Sequence, residues 1–184
     1  MSIEPALRKR TIALVGLMGA GKTSVGRRLA HALGLPFRDA DEEVERAAGR
    51  SVSEIFAELG EPAFRSGERR VIARLLEEPP HVLATGGGAF MDAETRTLIA
   101  ERAISVWLKA DVDVLVRRVT RKNDRPLLQG RDPHEVLTAL VEERYPIYAL
   151  ADITVESVET PHHASVQAII DALRARSAGS ADTP

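Results

Sequence analysis

The densest chemistry in this 184-residue chain lies in eight consecutive residues. Gly16-Leu17-Met18-Gly19-Ala20-Gly21-Lys22-Thr23 fits the spacing GxxxxGK(S/T). Glycines in such a run admit positive φ and let the backbone approach a ligand closely. Successive N–H groups and the N-terminus of a following helix then wrap a polyphosphate. Lys22 is expected to neutralise the β/γ-phosphates of a nucleotide, and Thr23 to bind Mg2+. The plain alternative is a glycine-rich turn with a chance lysine. The apolar run before the motif and the helical pattern after it supply the context that a phosphate loop requires.

A second group of residues could serve an acceptor. Asp39-Ala40-Asp41 places two carboxylates at i and i+2, which on an extended segment project to the same side. Asp39 could hold Mg2+ through water, and Asp41 could hydrogen-bond an acceptor hydroxyl and take its proton. Both could instead be helix N-caps. The strand His81–Thr85 ends without an acid, so a metal carboxylate has to come from elsewhere, and Asp39 is the natural donor. Arg65 and Glu68 share a helix face at i, i+3. A surface salt bridge is the default for such an isolated pair, and Arg144 has the same default.

These residues need a scaffold, and the composition permits one. The chain is 44% hydrophobic and 28% charged, as ordinary globular domains are. It has no cysteine, which excludes disulfides, thiolate zinc sites and a cysteine nucleophile. A net charge of −2 leaves no global basic field for nucleic acid or anionic membrane. The basic residues are 21 arginines and 4 lysines, an excess that genome composition explains as a total. The longest apolar or glycine run, Ile12–Gly21, is far below the roughly 18 residues of a membrane span. Arg8-Lys9-Arg10 before that run mimics a signal peptide, but Glu4 and the glycine-rich turn argue for a cytoplasmic chain.

Short apolar runs alternate with helical patterns. Strands are expected at Thr11–Val15, Leu35–Arg38, His81–Thr85, Ala103–Leu108 and Ile153–Val155. Helices are expected at Lys22–Leu33, from Asp41, from Ser51 (a capping box with Glu54), from Pro62 to about Leu76, and at Ala93–Glu101. Further helices run from Asp111 to Val119, from Pro133 to about Ala149, and from Thr160-Pro161 to about Arg176. Gly67 weakens its helix by roughly 1 kcal/mol. The polar stretch 121–131, with Pro126 and Gly130, has the look of a mobile lid. Residues 177–184 read as a frayed tail. The pattern implies an α/β fold with a parallel sheet covered on both faces, built as one domain over 1–176. Ligands bind at the carboxyl ends of such strands, where both glycine clusters fall.

A phosphate loop alone leaves a small-molecule kinase and a regulatory nucleotide switch open. The basic stretch 121–131 and the absence of an NKxD string favour the kinase. The chain closely resembles shikimate kinases. The strings that carry the resemblance are GLMGAGKTSVGRRLA, DAD, GRSVSEIF, GEPAFRSGE, TGGGA, RPLL and ERYPIY, in the family's order over about 11–151.

The resemblance implies a P-loop three-layer sandwich of the nucleoside-monophosphate-kinase type, with a five-stranded parallel sheet. It implies ATP-dependent phosphorylation of shikimate at its 3-hydroxyl, with Mg2+, in the pathway to chorismate. Gly19, Ala20, Gly21, Lys22, Thr23 and Ser24 then hold ATP. Arg118 stacks on adenine, and Arg125 in the lid (about 121–131) closes on the phosphates. Asp41 contacts the shikimate hydroxyls in an acceptor region of about 39–70. Arg65 and Arg144 bind the carboxylate, Gly86, Gly87 and Gly88 line the pocket, and Glu68 steadies the acceptor-site arginine. Lys22, Asp41 and Arg125 are the expected catalytic residues. The family also suggests a monomer whose partners are only its two small substrates. Another small kinase of the same architecture, for gluconate or a nucleotide, is the runner-up.

Overall fold

β1 (Thr11–Val15) forms the centre of the sheet because nothing in it tolerates water: its five residues are between 0% and 3% exposed. Successive side chains on a strand point to opposite faces, so uniform burial means that both faces are covered. The computed structural model describes residues 9–121, 128–157 and 162–180. Around β1 the sheet takes the order β2-β3-β1-β4-β5, with β2 at Phe37–Asp39, β3 at Val82–Ala84, β4 at Ala103–Lys109 and β5 at Ile153–Glu156. Every pairing is parallel.

Eight helices among the described residues connect and cover these strands: α1 (Lys22–Leu33), α2 (Ala40–Ala48), α3 (Val52–Leu59), α4 (Glu61–Leu75), α5 (Ala93–Arg102), α6 (Val112–Val119), α7 (Pro133–Tyr148) and α8 (His162–Ser180). Local signals fix most of their starts. Ser51 and Glu54 close the capping box of α3. Pro62 sits in the first turn of α4, Asp92 caps α5 through the Thr95 N–H, and Asp132 caps α7 ahead of Pro133. Asp111 occupies the cap position of α6 without bonding there.

The register decides what lies side by side at the carboxyl edge. Leu14 of β1 pairs with Ala84 of β3, and Asp39 of β2 pairs with the same Ala84. The residues that follow, Gly16 onward, Ala40-Asp41 and Gly86–Gly88, therefore leave the sheet at one end. Beneath them Trp107, Tyr145, Tyr148 and Phe90 form a cluster of ring contacts at 4.9–6.4 Å that ties β4 and α7 to the turn after β3.

Three boundaries differ from the sequence reading. The second strand lies at Phe37–Asp39 rather than Leu35–Arg38, because the Leu35 N–H turns back to the Ala30 carbonyl and closes α1. Asp39 and Asp41 do not share an extended segment. Asp39 ends β2 and its carboxylate accepts from the Asp41 and Glu42 N–H groups, so the helix begins at Ala40 and Asp41 rides on its first turn. The last helix continues to Ser180, so residues 177–180 are helical rather than a frayed tail. Residues 122–127, most of the expected lid with Arg125, and the cap at Thr160-Pro161 lie outside the described residues.

Candidate active site

The loop between β1 and α1 builds an anion site from backbone. Gly21 caps α1 at φ 96°, in the left-handed region, with no side-chain cap and no acid in the first turn. The first N–H groups of a 12-residue helix are thereby left for a ligand, with the positive end of its dipole behind them. Lys22 Nζ donates to the Gly16 and Leu17 carbonyls, at 2.7 and 2.9 Å, which holds it folded over the loop. Ser24 follows Thr23 in the first turn.

Thr23 and Asp39 come together as the sequence suggested. The Thr23 hydroxyl donates to Asp39 Oδ2 at 2.8 Å, while Oδ1 caps α2. A hydroxyl and a carboxylate at an open helix N-terminus are hard oxygen donors, the class that Mg2+ prefers. No group of three or more His, Cys, Asp or Glu side chains among the described residues could hold a metal. Mg2+ is commonly bound by one or two protein oxygens together with phosphate and water. β3 carries no acid, as expected: Val82, Leu83 and Ala84 are all buried.

Arg118 reaches the loop from α6. It donates to the Gly19 and Ala20 carbonyls at 3.1 and 3.3 Å and to Ser157 Oγ at 3.0 Å. Ser157 in turn donates to the Ala20 carbonyl at 2.9 Å and is 4% exposed. Its strap on the loop from beyond β5 went unseen in the sequence, because it lies 137 residues from its partner with no motif around it.

The acceptor candidates converge on the three glycines after β3. A Cβ on Gly86 would lie 2.3 Å from Glu68 Oε1 and 3.0 Å from Asp41 Oδ1, and one on Gly88 would lie 2.5 Å from the Arg65 guanidinium. A Cβ on Gly87 would lie 3.4 Å from the Met18 backbone nitrogen and 3.9 Å from an Arg144 nitrogen. A side chain at Gly86 or Gly88 would displace the ends of Glu68 or Arg65, and the close approach brings Asp41, Arg65, Glu68 and Arg144 around one turn that abuts the phosphate loop.

Arg65 and Glu68 are not a surface pair. Arg65 donates to Glu68 Oε2 at 2.8 Å and also reaches Glu61, at 3.2 and 3.3 Å, a partner that the sequence reading missed although it lies at i−4. The Glu68 side chain is 3% exposed. Its burial pushes the carboxyl above the usual carboxylate range; Arg65 and Arg144 pull it down and Asp41 adds to the push. Glu68 Oε1 and Arg144 Nε are buried without hydrogen-bond partners, although Arg144 as a whole is only 7% exposed. Both groups are paired through their other atoms, Glu68 with Arg65 and Arg144 with Tyr148, and these two atoms are left for water or a polar ligand to satisfy. Tyr148, one turn beyond Arg144 on α7, donates its hydroxyl to the Gly87 carbonyl. Burial raises its phenol to about 12, so it remains a donor.

The family model for shikimate kinase matches residues 18–174. A shikimate kinase of Caulobacter vibrioides is 73% identical over 168 residues, covering 91% of this chain and 84% of that one. One from Bradyrhizobium diazoefficiens is 56% identical over 177 residues, covering 96% and 86%. Among solved structures, the shikimate kinase of Acinetobacter baumannii in complex with shikimate superposes with a TM-score of 0.88 at 39% identity, covering 91% of this chain and 94% of that one. With identities this high over nearly the whole chain, and the phosphate loop and acceptor turn assembled in one place, the chain belongs to the shikimate kinase family.

Proposed function

We propose that this chain transfers the γ-phosphoryl group of ATP to the 3-hydroxyl of shikimate, giving 3-phosphoshikimate and ADP. One observation carries the reading: Arg65 and Arg144 meet at the triple-glycine turn, within reach of the phosphate loop. Two guanidinium groups at a small polar pocket suit a carboxylate, which they hold by paired charge-assisted hydrogen bonds. Asp41 and the backbone of Gly86–Gly88 read the ring hydroxyls. Such a grip orients the 3-hydroxyl toward the γ-phosphate, and positioning is most of what phosphoryl transfer needs.

The assignments divide the work. The backbone of Gly19–Thr23 and Ser24 wraps the phosphates, and Lys22 swings from its loop carbonyls onto the β/γ oxygens. Thr23, and Asp39 through water, would hold Mg2+, which would neutralise phosphate charge. Asp41 orients the acceptor hydroxyl and is placed to take its proton while the oxygen bonds to phosphorus and ADP leaves. Arg118 stands at the adenine side, and Arg125 closes over the phosphates from a lid of about 121–131. Residues 1–176 act as one kinase domain, a cytoplasmic monomer that handles two small molecules. No helix among the described residues is long and apolar enough to cross a membrane.

A coupled assay of ADP release, with shikimate, gluconate and nucleoside monophosphates offered separately, tests the reading. Turnover is expected with shikimate alone. Stimulation by gluconate or a nucleotide but not shikimate would transfer the chain to another acceptor.

A further inference from the structure

The side of α4 away from the acceptor turn carries a second concavity. α2, α3 and α4 enclose about 430 Å³ there, within the range of small-molecule sites. Its floor is apolar: Val44, Ile55, Phe64 and Val71 line it and are all buried. Leu59 stands at its edge, 59% exposed. Gly67, Arg70, Val71 and Arg74 follow helical spacing along one stripe of α4, and Phe64 joins that stripe to the acceptor side, its ring 5.1 Å from the Arg65 guanidinium.

Two features say what the groove would take. The first is Gly67. Glycine inside a 15-residue helix weakens it. Nothing demands it for space, since a Cβ there would meet no heavy atom within 4 Å. The missing side chain has one visible consequence, which is to keep the groove open. The second is charge. Two arginines border the groove, and Arg74 is bound to Glu43 at 3.1 Å. Arg70, exposed at the same border, makes no hydrogen bond or ion pair among the described residues. An apolar slot beside one uncommitted guanidinium matches a ligand with an apolar body and one negative group.

We propose that this groove binds a small amphipathic carboxylate, with the apolar body against Phe64 and Val71 over Gly67 and the carboxylate on Arg70. The site goes beyond the shikimate reading and does not depend on it.

Calorimetric titration of the full chain with 3-phenylpropanoate, and separately with its neutral amide, tests the proposal with neither nucleotide nor shikimate present. Failure of the kinase reading therefore leaves the result intact. Saturable one-to-one binding of the acid is expected, about tenfold weaker for the amide. Gly67→Leu fills the groove with a better helix former and should abolish binding. Arg70→Ala should weaken it about tenfold. Both variants should keep their thermal unfolding cooperative and their turnover unchanged, and saturating shikimate should not displace the acid. Absence of saturable binding overturns the proposal, as does equal binding by Gly67→Leu or displacement by shikimate. A dimer in sedimentation that Gly67→Leu dissolves also overturns it, since the groove would then be a contact between copies.

Discussion

The hydroxyl of Tyr148 donates to the carbonyl oxygen of Gly87. This bond links the C-terminal turn of α7, which also carries Arg144, to the turn that both acceptor arginines approach. The phenol is buried against Trp107, Phe90 and Tyr145, so its aim is fixed by packing. Tyr148→Phe keeps that packing and deletes the hydroxyl, with its bond to Gly87 and its contact with Arg144. A single neutral hydrogen bond is worth about 1 kcal/mol, or about fivefold. The shikimate KM is expected to rise by about that factor while the ATP KM and kcat hold. A matching rise for ATP in steady-state kinetics would show that the bond supports the whole fold rather than the acceptor turn.

Arg65 is aimed at that turn by a carboxylate on either side. Glu61 holds it from the solvent side and Glu68 from the buried side. Arg65→Ala should raise the shikimate KM by at least about tenfold, the order expected for losing a charge-assisted contact. It should leave the ATP KM nearly unchanged. Loss of both affinities alike would remove Arg65 from the acceptor site.

Glu68 gives a pH signature whose sign follows from its raised pKa. The folded protein binds the Glu68 proton more tightly than the unfolded chain does. Its contribution to stability is therefore complete below the unfolded carboxylate value, about 4.3, and is lost as pH rises through the raised folded value. Glu68→Gln removes this titration. The Tm advantage of the parent over Glu68→Gln should shrink as pH is raised from about 4 to about 7. An advantage that grows over the same interval would mean that the Arg65 ion pair outweighs burial.

The phosphate loop was legible because the chemistry of such a loop is local: it works through backbone N–H groups close together in sequence, and glycine spacing records them. The strand–helix alternation was legible for a similar reason, since buried parallel strands are short apolar runs. Asp39 and Asp41 were read as a shared extended pair, and the start of α2 at Ala40 corrects that. Residue types alone do not say that Asp39 will bond the next two N–H groups and start a helix. The Arg65–Glu68 pair was legible as a spacing but not as a buried site, because only the packing of the Gly86–Gly88 turn against it excludes water. Ser157 and Tyr148 act on partners far away in sequence; no motif surrounds Ser157, and the ERYPIY string that ends at Tyr148 does not say which carbonyl its hydroxyl reaches.

Ser157 and Arg118 together clamp the Gly19–Ala20 segment, Ser157 through its own bond to Ala20 and as acceptor for Arg118. Ser157→Ala removes both contacts at once. The ATP KM should rise about fivefold, consistent with losing one or two modest hydrogen bonds, and the shikimate KM should not follow. In a double-mutant cycle Ser157→Ala and Arg118→Ala should be non-additive, since they share the bond between them. Strict additivity would mean that the two side chains hold the loop independently.

Asp39 does two jobs with two oxygens, and they can be separated. Oδ1 caps α2 and Oδ2 faces the Thr23 hydroxyl. Asp39→Ala loses both, at a cost of about 1 kcal/mol for the cap alone. Asparagine caps a helix about as well as aspartate, but it is neutral and a poorer partner for a hydrated divalent cation. Asp39→Asn should therefore melt close to the parent temperature while needing several-fold more Mg2+ for half-maximal turnover. Asp39→Ala should show both defects. If Asp39→Asn kept the parent's Mg2+ dependence, the carboxylate would be a cap alone, and the ion would be held without it.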